Sequence, residues 1–368
     1  MNLIIQKSKN LMQMNYIEIL PALRMLMSGE KVGTLVLNKE VKDCSSKLTL
    51  GKDVTLEELE QRFAAYVNEN GGAPELVDIE GEGCFAVGEE VTEGRLAGKV
   101  AVVTGGAQGF GGGIVDYLAE EGAHVVIADL NVEKGNEKVE EVTGRIKGAN
   151  KVFFVEANVG SPESVQNLIE QTVKLFGGLD LFISNAGILR AGGLDEMTPE
   201  TFELMTKVNY EGYFLCSKYA SAVMKVQNKF RSSHFTDIIQ INSKSGLKGS
   251  NKNFTYAGGK FGGIGLTQSF ALELMPFNIK VNSICPGNFF DGPLWADPEN
   301  GLFVQYLKAG KVPGAKTIED VKKYYESQVP AGRGCTPLDV MRAIYYVVEQ
   351  EYETGQAIPV TGGQEMLK

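Results

Sequence analysis

Short apolar runs alternate with amphipathic stretches throughout residues 98–368. Apolar runs of this kind are typical of strands in a parallel sheet, and the amphipathic stretches are typical of helices that cover it. The predicted strands cover residues 99–103, 123–129, 152–155, 179–183, 237–241, 279–284 and 357–360. We therefore predict an α/β fold of Rossmann type: a doubly wound, mostly parallel seven-stranded sheet with helices on both faces, the first of them over 112–121.

The N-terminal quarter of the chain has a different pattern. Glu58 stands three residues after Thr55, which is the signature of a capping box and predicts a helix over 55–68. Residues 75–88 predict a strand, a glycine turn and a second strand. Residues 89–96 predict a linker into the segment that follows.

These patterns divide the chain after residue 97. We predict a small N-terminal α+β appendage with its linker over 1–97 and a main domain over 98–368. A chain of 368 residues is long enough for one large α/β domain and an appendage.

Composition narrows the function classes. The chain is 43% hydrophobic and 22% charged, which is ordinary for a soluble globular protein. Its net charge of −10 disfavours nucleic acid as a partner. No run of about 18 apolar residues occurs, so we predict no membrane span. The first ten residues carry lysines after a short apolar stretch, the wrong order for a secretory signal.

Cysteine and histidine usage indicates a cytoplasmic protein without a metal site. The five cysteines are scattered, odd in number and without CxxC spacing, as expected for reduced thiols. The two histidines, His124 and His234, have no metal-ligand pattern around them. We therefore expect no bound metal.

A glycine-rich loop provides the first chemical signal. The stretch TGGAQGFG over 104–111 follows a predicted strand and opens a predicted helix, the context of a dinucleotide-binding fingerprint. Gly105 would permit the tight turn, and Gly109 and Gly111 would let the backbone approach a pyrophosphate at the helix N-terminus. A glycine-rich turn alone is more often only a turn, but an acidic residue at the end of the next strand favours cofactor binding.

That acidic residue is Asp129, 18 residues after Gly111. A carboxylate there accepts hydrogen bonds from the adenosine ribose and repels a 2′-phosphate. The neighbouring residues bring no cation to such a phosphate: Ala107, Gln108, Leu130 and Asn131. We predict NAD rather than NADP as the cofactor. If Asp129 is only a solvated acid at a strand end, the preference stays open.

A tyrosine, a lysine and a serine form the second signal. Tyr256 and Lys260 are four residues apart at the start of a predicted helix, so they share one face. A nearby ammonium would lower the pKa of the phenol, as a general acid/base requires. Ser243, after a predicted strand, could polarise a substrate oxygen. Taken singly, such residues are usually a surface contact or a turn.

The order TGxxxGxG, NAG, Ser and YxxxK resembles the short-chain dehydrogenase/reductase family over about 98–368. The resemblance implies that Ser243, Tyr256 and Lys260 are catalytic. It implies that Asn209 is a fourth catalytic residue, which holds a water that relays protons to the lysine. It further implies a set of cofactor contacts: Gly105, Gln108, Gly109, Phe110, Gly111, Asp129, Leu130, Asn158, Val159, Asn185, Ala186, Gly187, Tyr256, Lys260, Pro286 and Gly287.

One of these positions departs from the family. Asn158 stands where the family often has an aspartate that contacts the adenine amino group. The asparagine carbonyl can still accept that hydrogen bond. Only the strength of the contact is therefore affected.

Within the family, the likeness is greatest to the bacterial sorbitol-6-phosphate 2-dehydrogenases. It is carried by stretches such as IIQINSKSG over 238–246, which includes the unusual Lys244 beside the serine, and VTGGQ over 360–364. The likeness implies an NAD-dependent interconversion of D-sorbitol 6-phosphate and D-fructose 6-phosphate. It also implies a homotetramer or homodimer, as is common in the family.

A sugar phosphate needs cations at its far end. Lys244, Lys248 and Lys252 lie between the serine and the tyrosine, and Arg190 follows the NAG motif. We expect the substrate to contact Ser243, Tyr256 and a subset of these cations, although lysines on such loops are usually only solvated.

The long connection over 288–330 is rich in aromatic residues. A connection of this length is typical of a substrate lid with its own short helices. The alternative is a packed excursion that contributes only to an oligomer interface.

Other functions remain open at this point. The same residues could serve another polyol or sugar phosphate, or a redox sensor that binds NAD without turnover. The intact Ser243, Tyr256 and Lys260 set argues against a sensor.

The stretch over 81–88 also resembles the end of class II sugar-phosphate aldolases, which bind zinc through histidines. Residues 1–97 contain no histidine, so we expect no aldolase activity there. A structural or oligomer-contact role is favoured for this segment.

Overall fold

Two β-sheets organise the molecule, as seen in a computed structural model that describes residues 16–38, 44, 46–308 and 310–366. The larger sheet has seven parallel strands in the order β11-β10-β9-β8-β5-β6-β7. Its strands are β5 Val100–Thr104, β6 His124–Asp129, β7 Val152–Glu156, β8 Leu181–Ser184, β9 Thr236–Ile241, β10 Ile279–Pro286 and β11 Ala357–Val360.

This sheet confirms the predicted fold class, and the predicted strands differ from the observed ones by at most two residues at each end. The strand order reverses direction between β5 and β8, because β6 and β7 extend one way and β8 to β11 the other. Ligands of doubly wound sheets bind at such a switch point, outside the carboxyl ends of the strands.

Helices cover both faces of the sheet. The longer ones are α3 Gly109–Glu120, α4 Val132–Thr143, α5 Pro162–Phe176, α7 Gly212–Phe230, α8 Phe254–Leu274 and α12 Pro337–Glu349. The shorter ones are α6 Pro199–Thr206, α9 Pro293–Ala296, α10 Leu302–Lys308 and α11 Ile318–Ser327. The helix α3 begins three residues before the predicted start at 112, because its first turn consists of glycines and Phe110 and carries no amphipathic pattern.

The N-terminal segment forms the second sheet. It contains α1 Tyr16–Met27, β1 Leu35–Asn38, β2 Lys47–Leu50, α2 Leu56–Asn70, β3 Leu76–Ile79 and β4 Gly83–Val87. The four strands have the order β1-β4-β3-β2. The predicted helix and strand–turn–strand are present, whereas α1, β1 and β2 were not predicted. The two strands have only four residues each, and α1 contains Pro21 and is buried along most of its length.

The predicted capping box at the start of α2 is only half formed. The Thr55 hydroxyl accepts a hydrogen bond from the backbone N–H of Glu58 at 3.2 Å. Within the described residues, the Glu58 carboxylate does not return a bond to Thr55, and it lies 3.7 Å from Arg62 one turn along the helix. An opposite charge on the same helix face attracts the side chain away from the cap.

The N-terminal segment packs against the part of the chain that carries the seven-stranded sheet and shares its hydrophobic core. Buried side chains of α1, such as Leu20 and Leu23, belong to the same cluster as Phe176 and Tyr213 on the sheet-covering helices. The segment therefore packs directly on α5 and α7, near their carboxyl ends, where Arg231 after α7 donates to the Gly29 and Glu30 carbonyls.

A buried ion pair fixes this contact. Both terminal nitrogens of Arg24 donate to the carboxylate of Asp180, at 2.9 and 2.7 Å, and both side chains are only 1% exposed. Asp180 also accepts from the Val100 N–H at 2.8 Å and lies 2.9 Å from His234. Burial by itself would raise the pKa of Asp180. Arg24 and His234 together lower that pKa by more than burial raises it, so it lies well below its ordinary range.

In the part of the chain that the structure describes, none of the helices is long and apolar enough to cross a membrane.

Candidate active site

Tyr256 and Lys260 lie on one face of the first turns of α8. The Lys260 ammonium is 5.6 Å from the centroid of the Tyr256 ring and donates a 2.8 Å hydrogen bond to the Ile241 carbonyl at the end of β9. Lys260 is buried, and Tyr256 is partly exposed. The helix therefore holds the two side chains together, with the lysine enclosed by protein and the phenol partly open to solvent.

Ser243 reaches the same place from the end of β9. It has an extended backbone and precedes a 3₁₀ turn over Lys244–Gly246, and its hydroxyl accepts from the Ser245 N–H at 3.1 Å. Its hydroxyl bonds to the Tyr256 phenol closely enough to lower the pKa of that group. The structure thus brings together the serine, the tyrosine and the lysine that the sequence singled out.

Asn242 ties the serine loop to the catalytic helix. Its side-chain amide donates a 2.9 Å hydrogen bond to the Lys260 backbone carbonyl. Its side-chain oxygen accepts a hydrogen bond from the Ser243 N–H at 2.8 Å. A Cβ at Gly246 would lie 2.2 Å from the Asn242 oxygen, so a larger residue would break this contact. The sequence analysis did not single out Asn242, because its role depends on contacts to a distant helix.

The expected lowering of the tyrosine pKa is not found. Removal of water by the surrounding protein raises the pKa of Tyr256 to about 12, and the Ser243 hydroxyl offsets only part of this rise. Burial also lowers the pKa of Lys260, to about 8. Both shifts have one cause, since the surrounding protein removes water from both groups and so disfavours each charged form. The phenol is therefore protonated near neutral pH.

Asn209 lies in a five-residue π-helical turn, Lys207–Glu211, between α6 and α7. It is buried, and its amide exchanges two hydrogen bonds with the Ile188 backbone, at 2.9 and 2.8 Å. A Cβ at Gly187 would lie 2.9 Å from the Asn209 oxygen and 4.0 Å from the Lys260 nitrogen, so this asparagine is near the lysine. Turns of this type occur frequently at functional sites.

The glycine loop fits a dinucleotide pyrophosphate. Gly105 and Gly109 have φ of 63° and 62°, which only glycine adopts easily, and a Cβ at Gly109 would face the cleft. The Asn185 amide donates to the Thr104 and Gly105 carbonyls at 2.9 and 3.1 Å and fixes the loop.

Gly111 has a different role from the one we expected. A Cβ there would lie 2.0 Å from the Gly105 carbonyl oxygen and 2.5 Å from the Asn185 amide. The glycine therefore allows the helix to pack against its own loop. Approach of the backbone to a pyrophosphate is left to Gly109.

Asp129 lies at the end of β6 beside the glycine loop, and the same loop contacts a cation that the sequence analysis missed. The Asp129 carboxylate accepts from the backbone N–H groups of Ala107 and Asn131, at 3.1 and 3.0 Å. Lys134, in the first turn of α4, donates a 2.8 Å hydrogen bond to the side-chain oxygen of Gln108. Lys134 lies five residues after Asp129 in the sequence. The first turn of α4 brings its side chain close to the glycine loop.

Three further predicted cofactor residues follow the carboxyl ends of β6 and β7. Leu130 is 62% exposed beside Asp129. Val159 is buried. The side-chain carbonyl of Asn158 accepts a hydrogen bond from the Gly160 N–H at 3.0 Å, so one of the two lone pairs of this oxygen is already engaged.

The remaining predicted cofactor residues lie at the ends of β8 and β10. The N–H groups of Asn185 and Ala186 donate to the Thr104 hydroxyl at 3.0 and 3.1 Å. Pro286 ends β10, and the Gly287 N–H donates to Val360 at 2.9 Å. Together with the glycine loop, these residues fit a nicotinamide dinucleotide.

The segment over 288–330 folds over the glycine loop as an aromatic subdomain. Trp295 contacts Phe290, Phe303 and Tyr325, with ring centroids 5.0, 5.0 and 5.1 Å away. Phe289 stacks on Phe110 of the glycine loop at 4.9 Å. A cleft of about 440 Å³ lies between this segment, the loop and α4.

Three of the four candidate phosphate-binding cations contact other side chains, at two separate places. The half-buried Lys244 donates 3.1 Å to Gln364, and Lys248 lies 3.4 Å from Glu365. Lys252 pairs with Glu196 at 3.0 Å, on the other side of the serine loop.

Arg190 is exposed and makes no ion pair within the described residues. Over those same ranges, no group of three or more histidine, cysteine or acidic side chains could hold a metal ion.

Comparisons with known proteins agree with this geometry. The family profile described as short chain dehydrogenase matches residues 99–296. Sorbitol-6-phosphate 2-dehydrogenase of Escherichia coli K12 is 36% identical over 272 residues, which are 73% of this chain and 99% of that protein. A 3-oxoacyl-[acyl-carrier-protein] reductase of Aquifex aeolicus is 32% identical over 73% of this chain and 98% of its own length.

The solved structures show the same likeness. The crystal structure of sorbitol-6-phosphate 2-dehydrogenase from Erwinia amylovora matches with a TM-score of 0.66 and 37% identity. The match covers 73% of this chain and all of that one. The family profile begins at residue 99, so the N-terminal sheet lies outside the part that it matches.

Proposed function

This chain belongs to the short-chain dehydrogenase family, and on that premise we propose that it interconverts a sugar-alcohol phosphate and a ketose phosphate with NAD. The proposed pair is D-sorbitol 6-phosphate and D-fructose 6-phosphate. The observation that carries the proposal is Lys244, a half-buried cation placed one residue after Ser243 and held by Gln364. A substrate held at Ser243 would meet this charge directly, and a phosphate is the group that needs it.

The proposed chemistry uses Tyr256 as the acid/base. The glycine loop and Asp129 would hold the dinucleotide, and Lys260 would bind its nicotinamide ribose. When bound, the nicotinamide accepts or returns a hydride. In alcohol oxidation Tyr256 must first lose its own proton, and as phenolate it then takes the hydroxyl proton while Ser243 holds that oxygen. In the reverse direction the protonated phenol donates its proton to the carbonyl oxygen, which suits its raised pKa.

We expect oxidation of sorbitol 6-phosphate to be far more efficient than oxidation of free sorbitol. Lys244→Met should raise KM for the phosphate ester by about tenfold to a hundredfold, because a hydrogen bond to a charged group contributes roughly 1.5–3 kcal/mol. Initial rates of NADH formation across a panel of polyols and their phosphates measure both effects.

The matched control is Lys323→Met, which removes an exposed lysine whose one ion pair among the described residues is with Glu319 on α11. It should leave KM unchanged. Equal efficiency with free sorbitol and its phosphate would show that phosphate recognition is wrong.

We propose NAD rather than NADP as the cofactor, since Asp129 faces the adenosine end of the loop. Asp129→Ala should reduce the ratio of kcat/KM for NAD to that for NADP. Lys134 is then the cation left near a 2′-phosphate, and Lys134→Gln in the Asp129→Ala background should remove the NADP activity gained. A wild-type preference for NADP would overturn the proposal.

The homotetramer or homodimer stays a prediction, as does the cytoplasmic location. The exposed apolar residues Phe261 and Leu272 on α8 are consistent with a subunit contact. Light scattering at several protein concentrations tests the assembly, and a monomer throughout would contradict it.

A further inference from the structure

The C-terminal turn over Thr361–Glu365 is fixed in place beside the serine loop. The Thr361 hydroxyl accepts from the Glu365 N–H at 3.3 Å and donates to the Glu365 carbonyl at 3.0 Å. Gly362 and Gly363 have φ of 61° and 91°, which allows the turn. The Gly362 carbonyl also accepts from Ala331 at 3.0 Å, so the turn is attached to the base of the segment over 288–330.

The two side chains at the end of this turn contact the two lysines of the serine loop. Gln364 accepts from Lys244 at 3.1 Å, and the Glu365 carboxylate lies 3.4 Å from Lys248. Glu365 is also close enough to Lys244 to raise the pKa of that lysine, which burial lowers. The carboxylate therefore pairs with Lys248 and acts on Lys244 from a longer distance.

This cluster lies next to the reaction centre. The Gln364 oxygen is 3.5 Å from where a Cβ at Gly287 would stand, and Lys244 directly follows Ser243. The family resemblance implies that Gly287 lies near the nicotinamide. An anionic group at the far end of a substrate held at Ser243 would enter the space that Glu365 now occupies.

We propose that Glu365 is a specificity-determining residue: an internal counter-ion of Lys244 and Lys248 that the substrate phosphate replaces. The inference rests on the proposed sugar-phosphate substrate. A phosphate monoester carries about −1.5 to −2 charges near neutral pH and compensates both lysines when the carboxylate is displaced. A free polyol brings no charge, so displacement would leave two neighbouring ammonium groups unpaired. The exchange thereby selects phosphorylated substrates.

The test is the Glu365→Gln variant of the full-length chain, assayed with sorbitol 6-phosphate and with inorganic phosphate as an inhibitor. KM for the ester and the inhibition constant of inorganic phosphate should each fall by about fivefold, because the competing carboxylate contributes about as much as a partly exposed ion pair. The value of kcat should stay near that of the wild type. The gain should be largely lost when Lys248→Gln is combined with Glu365→Gln.

The control is Glu351→Gln, which removes the same charge from an exposed position away from the serine loop. It should change neither constant. An unchanged or higher KM in Glu365→Gln, in an enzyme that prefers the phosphate ester, would overturn the inference alone. A wild type without that preference defeats the proposed function instead. In that case, equal inhibition of the wild type and the Glu365→Gln variant by inorganic phosphate would overturn the role of Glu365 as well.

Discussion

Tyr256→Phe is expected to lower kcat by about 10²–10⁴-fold while NADH still binds, since positioned proton transfer typically contributes a factor of this size. The substitution removes only the hydroxyl, which bonds with Ser243, and leaves the ring over Lys260. Steady-state kinetics in the reduction direction measure kcat. Trp295 is the single tryptophan of the chain and lies in the segment over the cleft, so its fluorescence can follow NADH binding.

Tyr346→Phe is the matched control. Tyr346 is 48% exposed on α12, and its hydroxyl bonds only to Glu353 among the described residues. This variant should keep wild-type turnover. Turnover near the wild-type value in Tyr256→Phe would contradict the proposed acid/base role, and lost NADH binding would mean that the hydroxyl has a structural role as well.

Arg24→Ala is expected to destabilise the whole chain by about 3–5 kcal/mol, because it leaves the buried Asp180 carboxylate without its main partner. Asp180 would keep its bonds to the Val100 N–H and His234, but these neutralise its charge only in part. The urea concentration at the unfolding midpoint, followed by circular dichroism, measures the loss. Asp180→Asn in the Arg24→Ala background should restore part of it, since the uncompensated charge is then gone.

Arg62→Ala is the control for this substitution. Arg62 is half-exposed on α2 and pairs with Glu58 one turn away, an interaction that contributes little to stability. An Arg24→Ala protein as stable as the wild type would show that the N-terminal segment does not support the main sheet. Deletion of residues 1–95 should destabilise the protein further than Arg24→Ala does, because it also removes α1 from the shared core.

The prediction about Arg24 changes the view of the N-terminal segment. Its sequence indicated an appendage and linker, because composition and periodicity change near residue 97. The structure joins it to the main sheet through Arg24, Asp180 and the packing of α1 on α5 and α7. No local pattern announces such a pair, since its two members are 156 residues apart. The division into two domains therefore remains a prediction about how the chain folds.

The sequence by itself determined the parts whose physics is local. The apolar runs and the amphipathic stretches between them located the seven strands, because each strand of a parallel sheet must be buried on both faces. The YxxxK spacing placed Tyr256 and Lys260 on one helix face, because four residues make about one turn. The succession of strand, glycine loop and helix predicted a dinucleotide site, which stays a prediction, and the order of motifs identified the family.

Tertiary structure alone decided the rest, because those properties depend on which distant segments meet. Closure of the site against water raised the pKa of Tyr256, whereas spacing alone had indicated a lower value. Folding returned Lys134 to the adenosine end and set Gln364 and Glu365 against the lysines of the serine loop. Charge pairing and dehydration are set by neighbours in space, and a reading along the chain gives only neighbours in sequence.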